Sequence, residues 1–302
     1  MTWLQAIFLA LVQGITELFP VSSLGHAVII PSLLNWKLDQ ASDAFLPFLV
    51  IMHLGTACAL LLYFWRDWYE FGTAVVFSRG VGNQRERRTF WLVIVATLPA
   101  VLVALLFERS IRSLFNQPVP FIPCALLFVN GMMLLVAERL KPIVRPNISG
   151  TPVSKPLEAL TWFDAIVIGF CQSLALFPGM SRSGATMVGG YLSGLNHEDA
   201  ARFSFLTGTP IIIAAVVHEL PKMLKVQQVN GAMTISLPMA VAAGVVAGIT
   251  AFLSVWLLMR WFKTHEVKGY DLYAYYCMAA GVLFFVAEIV KHQHPIMPSF
   301  SN

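Results

Sequence analysis

The chain has 302 residues, of which 57% are hydrophobic and 12% charged, about half the charged fraction of a soluble domain. With apolar runs recurring along its whole length, that balance excludes a water-soluble globular enzyme and indicates an all-α polytopic membrane protein; the strand-length alternation of outer-membrane barrels is absent. Positive cytoplasmic loops account for the net charge of +4, which therefore calls for no nucleic-acid partner.

The spacing of apolar residues predicts ten helical segments, over 3–19, 21–35, 46–65, 90–107, 119–138, 162–178, 182–195, 203–219, 237–260 and 271–290. The first, second, sixth and seventh are short, and polar stretches containing Pro20 and Pro178 divide them into two pairs. Each pair reads as a re-entrant hairpin that enters the membrane and returns to the same side. Broken backbone survives at that depth only where protein or a water-filled cavity satisfies it. The N-terminus lacks a basic leader region, and Glu17 falls where a signal-peptide cleavage site would be. Cys58, Cys124, Cys171 and Cys277 lie in apolar segments without a CxxC pair, as small core residues do.

The two hairpins resemble one another. Thr2-Trp3 matches Thr161-Trp162, Ala6-Ile7 matches Ala165-Ile166, and Gln13, Ser22 and Gly25 match Gln172, Ser181 and Gly184, all at an offset of 159 residues. Gly131, Val136-Ala137-Glu138 and Lys141 mirror Gly281, Val286-Ala287-Glu288 and Lys291 at an offset of 150. The expected organisation is therefore one membrane domain made of two repeats, 1–150 and 151–302. Each repeat holds one re-entrant hairpin and three full spans, six spans in all. Three crossings per repeat require the second to be inverted and put both termini on one side. Thirteen Lys and Arg lie on the side away from the termini (Arg66, Arg79, Arg85, Arg87, Arg88, Arg139, Lys141, Arg145, Lys155, Arg202, Arg260, Lys263, Lys268), against six on the terminal side (Lys37, Arg109, Arg112, Lys222, Lys225, Lys291). The richer side is expected to be cytoplasmic and both termini periplasmic.

That partition leaves Arg182 over, inside the second hairpin, with Glu17 as its acidic counterpart in the first. Ionisable residues at membrane depth are costly and by default functional. In the loop Pro178-Gly-Met-Ser-Arg-Ser-Gly-Ala-Thr186, glycines allow close backbone approach and Ser181, Ser183 and Thr186 offer hydroxyls. A helix starting near Arg182 turns free N–H groups toward the loop, and the guanidinium fork suits phosphate oxygens. The loop therefore reads as an anion cradle, with Ser181, Arg182, Ser183, Gly184 and Thr186 as candidate ligand-binding residues. In the first loop, Ser23 and His26 are three apart and share a helical face, a nucleophile with its base. Glu17 is placed to orient His26 or to hold a divalent metal bridging phosphate oxygens. Gln13 lies one turn from Glu17, and Ser22 adds a hydroxyl. His53 is a secondary candidate for lining the site.

Gln13-x-x-x-Glu17 followed by Pro20-Val-Ser-Ser-x-Gly-His26, and later Pro178-Gly-x-Ser-Arg-Ser-Gly-Ala-Thr186, resembles the two signature motifs of the undecaprenyl-diphosphatase (BacA/UppP) family. The similarity runs over essentially the whole chain, including the Phe203-Ser-Phe-Leu run and the helix around Pro210. It implies an inner-membrane phosphatase that converts undecaprenyl diphosphate to undecaprenyl phosphate and phosphate, recycling the cell-wall lipid carrier and antagonising bacitracin. It also implies support by a divalent cation, Mg or Ca, with Glu17 as the metal ligand, and functional roles for Gln13, Glu17, Ser22, Ser23, His26, Ser181, Arg182 and Thr186. The implied partners are a polyprenyl diphosphate and membrane lipids; a homo-oligomer is left open. Gln13 stands where many members have Glu, Leu24 where Thr is common, and His53 where Gln is common. These departures bear on metal affinity and rate rather than on reaction class.

A transporter or flippase for a polyprenyl phosphate or another anion is the alternative, since inverted repeats with broken helices are its architecture. The Ser23–His26 pair beside an anion cradle favours an enzyme. The other lipid-phosphatase motif, SR-x5-H-x3-D, fails because Val188 and Leu192 occupy its His and Asp positions. Whether Ser23 or an activated water attacks phosphorus is not decided by the motifs.

Overall fold

The computed structural model describes residues 1–36, 45–77, 84–107, 121–140, 154–230, 236–264 and 268–293. Among them are eleven α-helices and no strand: α1 (Trp3–Thr16), α2 (Ser23–Leu33), α3 (Phe45–Tyr63), α4 (Trp65–Val76), α5 (Gln84–Leu106), α6 (Phe121–Arg139), α7 (Trp162–Ser173), α8 (Arg182–Leu192), α9 (His197–Asn230), α10 (Leu237–Thr264) and α11 (Asp271–Gln293). The polytopic all-α architecture expected from composition is present. Helices α5, α6, α9, α10 and α11 are each long and apolar enough to cross a membrane, and α3 with α4 supplies a sixth such element as a bent pair. Alone, the 19 residues of α3 span roughly 28 Å at 1.5 Å per residue, close to the hydrocarbon thickness.

Helix α4 is the main departure from the expected elements. It turns 76° away from α3. Its sequence explains the bend: Phe71 and Ala74 are buried while Arg66 and Glu70 are exposed, the two-sided pattern of a helix lying in the interface plane. An apolar-run reading finds α3 and overlooks an amphipathic helix continuing from it.

The short helices start and stop for local reasons. Thr2 caps α1 in a reciprocal box with Gln5, and Thr161 caps α7 in the same way with Asp164. Asp164 also pairs with Lys155. Neither α1 nor α7 is long enough to span, and each packs against the short helix that follows it.

The packing has an exchange pattern. Helix α1 packs on α10 as α7 packs on α5, α3 packs on α10 as α9 packs on α5, and α6 packs on α11. Glycines set these approaches. A Cβ on Gly131 of α6 would lie 2.6 Å from the Ala274 carbonyl of α11, and one on Gly281 of α11 would lie 2.7 Å from the Phe128 nitrogen of α6. Small residues allow such backbone contact where lipid offers no hydrophobic drive.

One end of the bundle gathers charged pairs. Arg139 of α6 meets Asp271 of α11 at 3.1 Å, Arg202 of α9 pairs with Asp67 of α4, and Lys263 of α10 lies 3.5 Å from Glu198 of α9. Beneath them Glu138 bonds His197 at 2.9 Å and accepts from the backbone N–H groups of Lys268 and Tyr270 at 3.0 Å. At the far end of α11, Lys291 donates to the Ser32 carbonyl at the end of α2. Lys37, Arg79, Arg109, Arg112, Lys141 and Arg145, used above for orientation, lie outside the described residues, as do the side chains of Lys222 and Lys225.

Candidate active site

The breaks between α1 and α2 and between α7 and α8 lie against each other. Asn130, fully buried in the middle of α6, joins them. Its amide donates to the Pro20 carbonyl at 2.9 Å and accepts from the Ser181 N–H at 3.0 Å. The second break passes close to α6: Gly179 has φ +107°, and a Cβ there would sit 2.4 Å from the Pro123 carbonyl. The left-handed conformation and the lack of room both select glycine. Ser181 then caps α8 by accepting from the Gly184 N–H at 3.1 Å, as Ser22 caps α2 by accepting from the Gly25 N–H at 3.2 Å.

The caps bring Glu17 and Arg182 together. Glu17 Oε1 accepts from Arg182 Nη2 at 2.9 Å. Arg182 Nη1 donates to the Ser204 carbonyl of α9 at 3.1 Å. The other carboxylate oxygen, Oε2, accepts from Ser23 Oγ at 2.5 Å and from Gln13 Nε2 at 3.3 Å. His53 Nε2 lies 3.3 Å from the same oxygen. His53 Nδ1 lies 2.7 Å from the Leu49 carbonyl, which only accepts, so Nδ1 carries a hydrogen.

These groups face a cavity of about 290 Å³. Its polar side is Glu17, Ser22, Ser23, His53, Gln172, Ser181 and Arg182. Its opposite wall is apolar, with Leu49 and Val50 from α3, Leu176 and Met180 from the second break, and Ile212 and Val216 from α9. The cavity thus joins a charged end that fits an anion to a wall that fits a hydrocarbon chain.

Not every expected site residue lines it. Ser183 donates to the Phe19 carbonyl at 3.2 Å and shares a hydrogen bond with Ser181, holding the two breaks together. Thr186 donates back to the Arg182 carbonyl at 2.7 Å. Gly184 serves the α8 cap. Gln13 stands behind Glu17. His26 is not paired with Ser23: Nδ1 lies 2.7 Å from the Ser22 carbonyl and Nε2 lies 2.8 Å from the Tyr276 hydroxyl. Ser23 and His26 do share a helix start, as their spacing requires, but the strained turn at Ser22 directs the hydroxyl to Glu17 and the imidazole to α11. Asn130 and Ser204 were not anticipated. An Asn inside an apolar span was the available signal for the first; a carbonyl contact leaves none for the second.

Glu17 as a divalent-metal ligand does not fit this arrangement. Both its oxygens already accept from Arg182, Ser23 and Gln13, with His53 beside them. Among the described residues no three His, Cys, Asp or Glu converge. The Gln13 amide oxygen, buried and unpartnered, is one neutral donor and supplies no charge.

A family model described as bacitracin resistance protein BacA matches residues 6–283. The chain is 48% identical to an undecaprenyl-diphosphatase of Granulibacter bethesdensis, covering 93% of this chain and 95% of that protein. It is 46% identical to one from Gluconacetobacter diazotrophicus, covering 94% and 96%, and 42% identical to undecaprenyl-diphosphatase 2 of Chromobacterium violaceum, covering 96% and 100%. With both breaks and all six candidate spans inside or overlapping the matched region, this protein belongs to the bacitracin resistance protein BacA family.

Proposed function

We propose that this chain is an undecaprenyl-diphosphatase, a multi-pass enzyme of the bacterial inner membrane that hydrolyses undecaprenyl diphosphate to undecaprenyl phosphate and inorganic phosphate. Bacitracin resistance and renewal of the cell-wall lipid carrier follow from that activity. The observation that carries the reading is the Ser23 hydroxyl, 2.5 Å from a Glu17 carboxylate held by Arg182, in a cavity with one polar and one apolar side.

In this reading the diphosphate enters beside Arg182 and the α8 start, with its prenyl chain along the α3 and α9 wall. Ser23 Oγ attacks the terminal phosphorus and gives its proton to Glu17 Oε2. The bond from phosphorus to the bridging oxygen breaks, and that oxygen leaves with the electron pair as polyprenyl phosphate. Water then attacks the phosphorus of the phosphoserine and the bond from phosphorus to Oγ breaks. The Ser23 oxygen takes the electron pair and recovers its proton from Glu17, and the water oxygen with its two hydrogens leaves as inorganic phosphate. Arg182, whose charge is permanent, stabilises the equatorial oxygens in both steps. His53 lines the cavity beside Glu17, with Nδ1 turned to the Leu49 carbonyl and Nε2 to the carboxylate. No step passes through a metal ion.

The exchange pattern in the helix packing supports a duplication into inverted halves, each with one re-entrant pair. The cluster of ion pairs around Arg139, Arg202 and Lys263 supports a single charge-rich end, which the positive-inside rule makes cytoplasmic, with both termini periplasmic.

The test is phosphate release from a long-chain prenyl diphosphate by purified protein in detergent, with Ser23→Ala beside wild type. Release without a membrane gradient, abolished in the variant, is expected. A protein that releases no phosphate but moves polyprenyl phosphate across vesicles would be a transporter.

A further inference from the structure

His26 is buried, yet both its ring nitrogens are engaged away from the cavity. The Ser22 carbonyl, 2.7 Å from Nδ1, can only accept, so Nδ1 carries the hydrogen. In the neutral ring Nε2 then accepts, and the Tyr276 hydroxyl 2.8 Å away is its donor. The two rings stack, with centroids 5.9 Å apart and planes 9° apart, and Phe284 meets the imidazole edge-on. The ring has one orientation and one tautomer available, fixed from α11.

What it holds is strained. Ser22 has φ 68° and ψ 92°, a conformation that non-glycine residues adopt only where the surroundings over-determine it. The Ser22 carbonyl is gripped by His26 through both the backbone N–H, at 3.3 Å, and the ring. The next residue is Ser23, whose hydroxyl reaches Glu17 because the Ser22 turn points it there.

We propose that Tyr276 and His26 are positioning residues for the reaction. The Tyr276 hydroxyl, the imidazole and the Ser22 carbonyl form one chain of hydrogen bonds that holds the turn aiming Ser23 at Glu17, and the imidazole is not the acceptor of the Ser23 proton. This rests on reading Ser23 as the reacting hydroxyl.

Side chains at position 26 separate positioning from proton transfer. Asn presents an N–H near the place of Nδ1; Gln presents its amide near the place of Nε2; neither is a base. Steady-state phosphate release from a long-chain prenyl diphosphate in detergent is measured for His26→Asn, His26→Gln, His26→Ala, Tyr276→Phe and Ser23→Ala. His26→Asn is expected to stay within about tenfold of wild-type kcat, while His26→Gln and His26→Ala lose roughly 100-fold or more with KM little changed, because only the transition-state geometry is spoiled. Tyr276→Phe removes one neutral hydrogen bond and is expected to lower kcat about fivefold at every pH, leaving the shape of the pH–rate profile unchanged. Equal loss in all three position-26 variants would make His26 the base and overturn the proposal. So would wild-type kcat in Tyr276→Phe, a variant mild enough to keep the test open if changes at His26 prevent folding. Turnover surviving in Ser23→Ala would instead remove the reading of the site on which the proposal stands.

Discussion

Glu17 and Arg182 are separated by 165 positions in the chain, and their side chains meet at 2.9 Å. Each follows or begins a short helix that stops inside the bundle, and each has few other places to put its charge. Removing one partner of such a pair costs about 3–5 kcal/mol because the other is left buried and uncompensated. The pair therefore contributes to holding the two breaks together before any substrate arrives, and a phosphate has to share the guanidinium with the carboxylate.

Arg182→Lys keeps the charge and loses the planar fork. One ammonium cannot reach Glu17, the Ser204 carbonyl and a phosphate with the same geometry. A fall of about 100-fold in kcat/KM is expected for this variant, on the order of one lost charge-assisted contact or two. Near-normal turnover of prenyl diphosphate would show that point charge suffices.

The guanidinium is also positioned from behind. A Cβ on Gly208 of α9 would stand 2.1 Å from Arg182 Nη1, whereas one on Gly72 of α4 would meet nothing within 4 Å. Gly208→Ala is expected to push the guanidinium off the Ser204 carbonyl and lower kcat/KM at least tenfold, while Gly72→Ala leaves it unchanged. Equal activity in the two variants would show that Arg182 tolerates displacement.

Asn130 links the breaks without touching the cavity. Asn130→Ala leaves the Pro20 carbonyl and the Ser181 N–H unpaired in a buried site, at about 1–3 kcal/mol each. Thermal unfolding in detergent should show a lower transition temperature than wild type. An unchanged transition would mean that the breaks find other partners.

Because the Glu17 oxygens are occupied, added cation should not rescue their loss. Glu17→Gln is expected to lose roughly 10³-fold in kcat, the order for a general base, at low and high Mg or Ca alike. Recovery of phosphate release on raising the cation would put a metal at Glu17 and reverse the assignment.

The proposed orientation has its own check. A cysteine at Glu70 of α4, in a background cleared of the four native cysteines, should react with an impermeant thiol reagent only from the cytoplasmic side. An epitope on the N-terminus should be reached only from the periplasm. Both labelled from one side would end the six-span topology.

The local chemistry of the chain was legible before any tertiary contact. Apolar runs of spanning length located every candidate span, with α3, α6, α10 and α11 matched to within about a turn at each end and α5 and α9 beginning earlier than their apolar runs, because burial in lipid imposes length and composition on a helix directly. Pro20 and Pro178 marked where helices stop, and Glu17 and Arg182 stood out because charge inside an apolar run is too costly to be idle. The capping boxes at Thr2 and Thr161 are equally short-range, each closed within one helical turn. Helix α4 was not legible, since its apolar face is too narrow to raise the hydropathy of the run.

Tertiary structure decided which of the clustered polar groups face one another. Sequence spacing put Ser23 and His26 on one helical face but carries no information about a neighbour such as Tyr276, 250 positions away. Nor does it show that φ is positive at Ser22, and that one dihedral sends the hydroxyl to Glu17. Asn130 and Ser204 entered the site for the same reason, and the contact of His53, a candidate from sequence, with Glu17 was set in the same way. Their roles depend on where α3, α6 and α9 cross the two breaks, and helix packing alone sets those crossings.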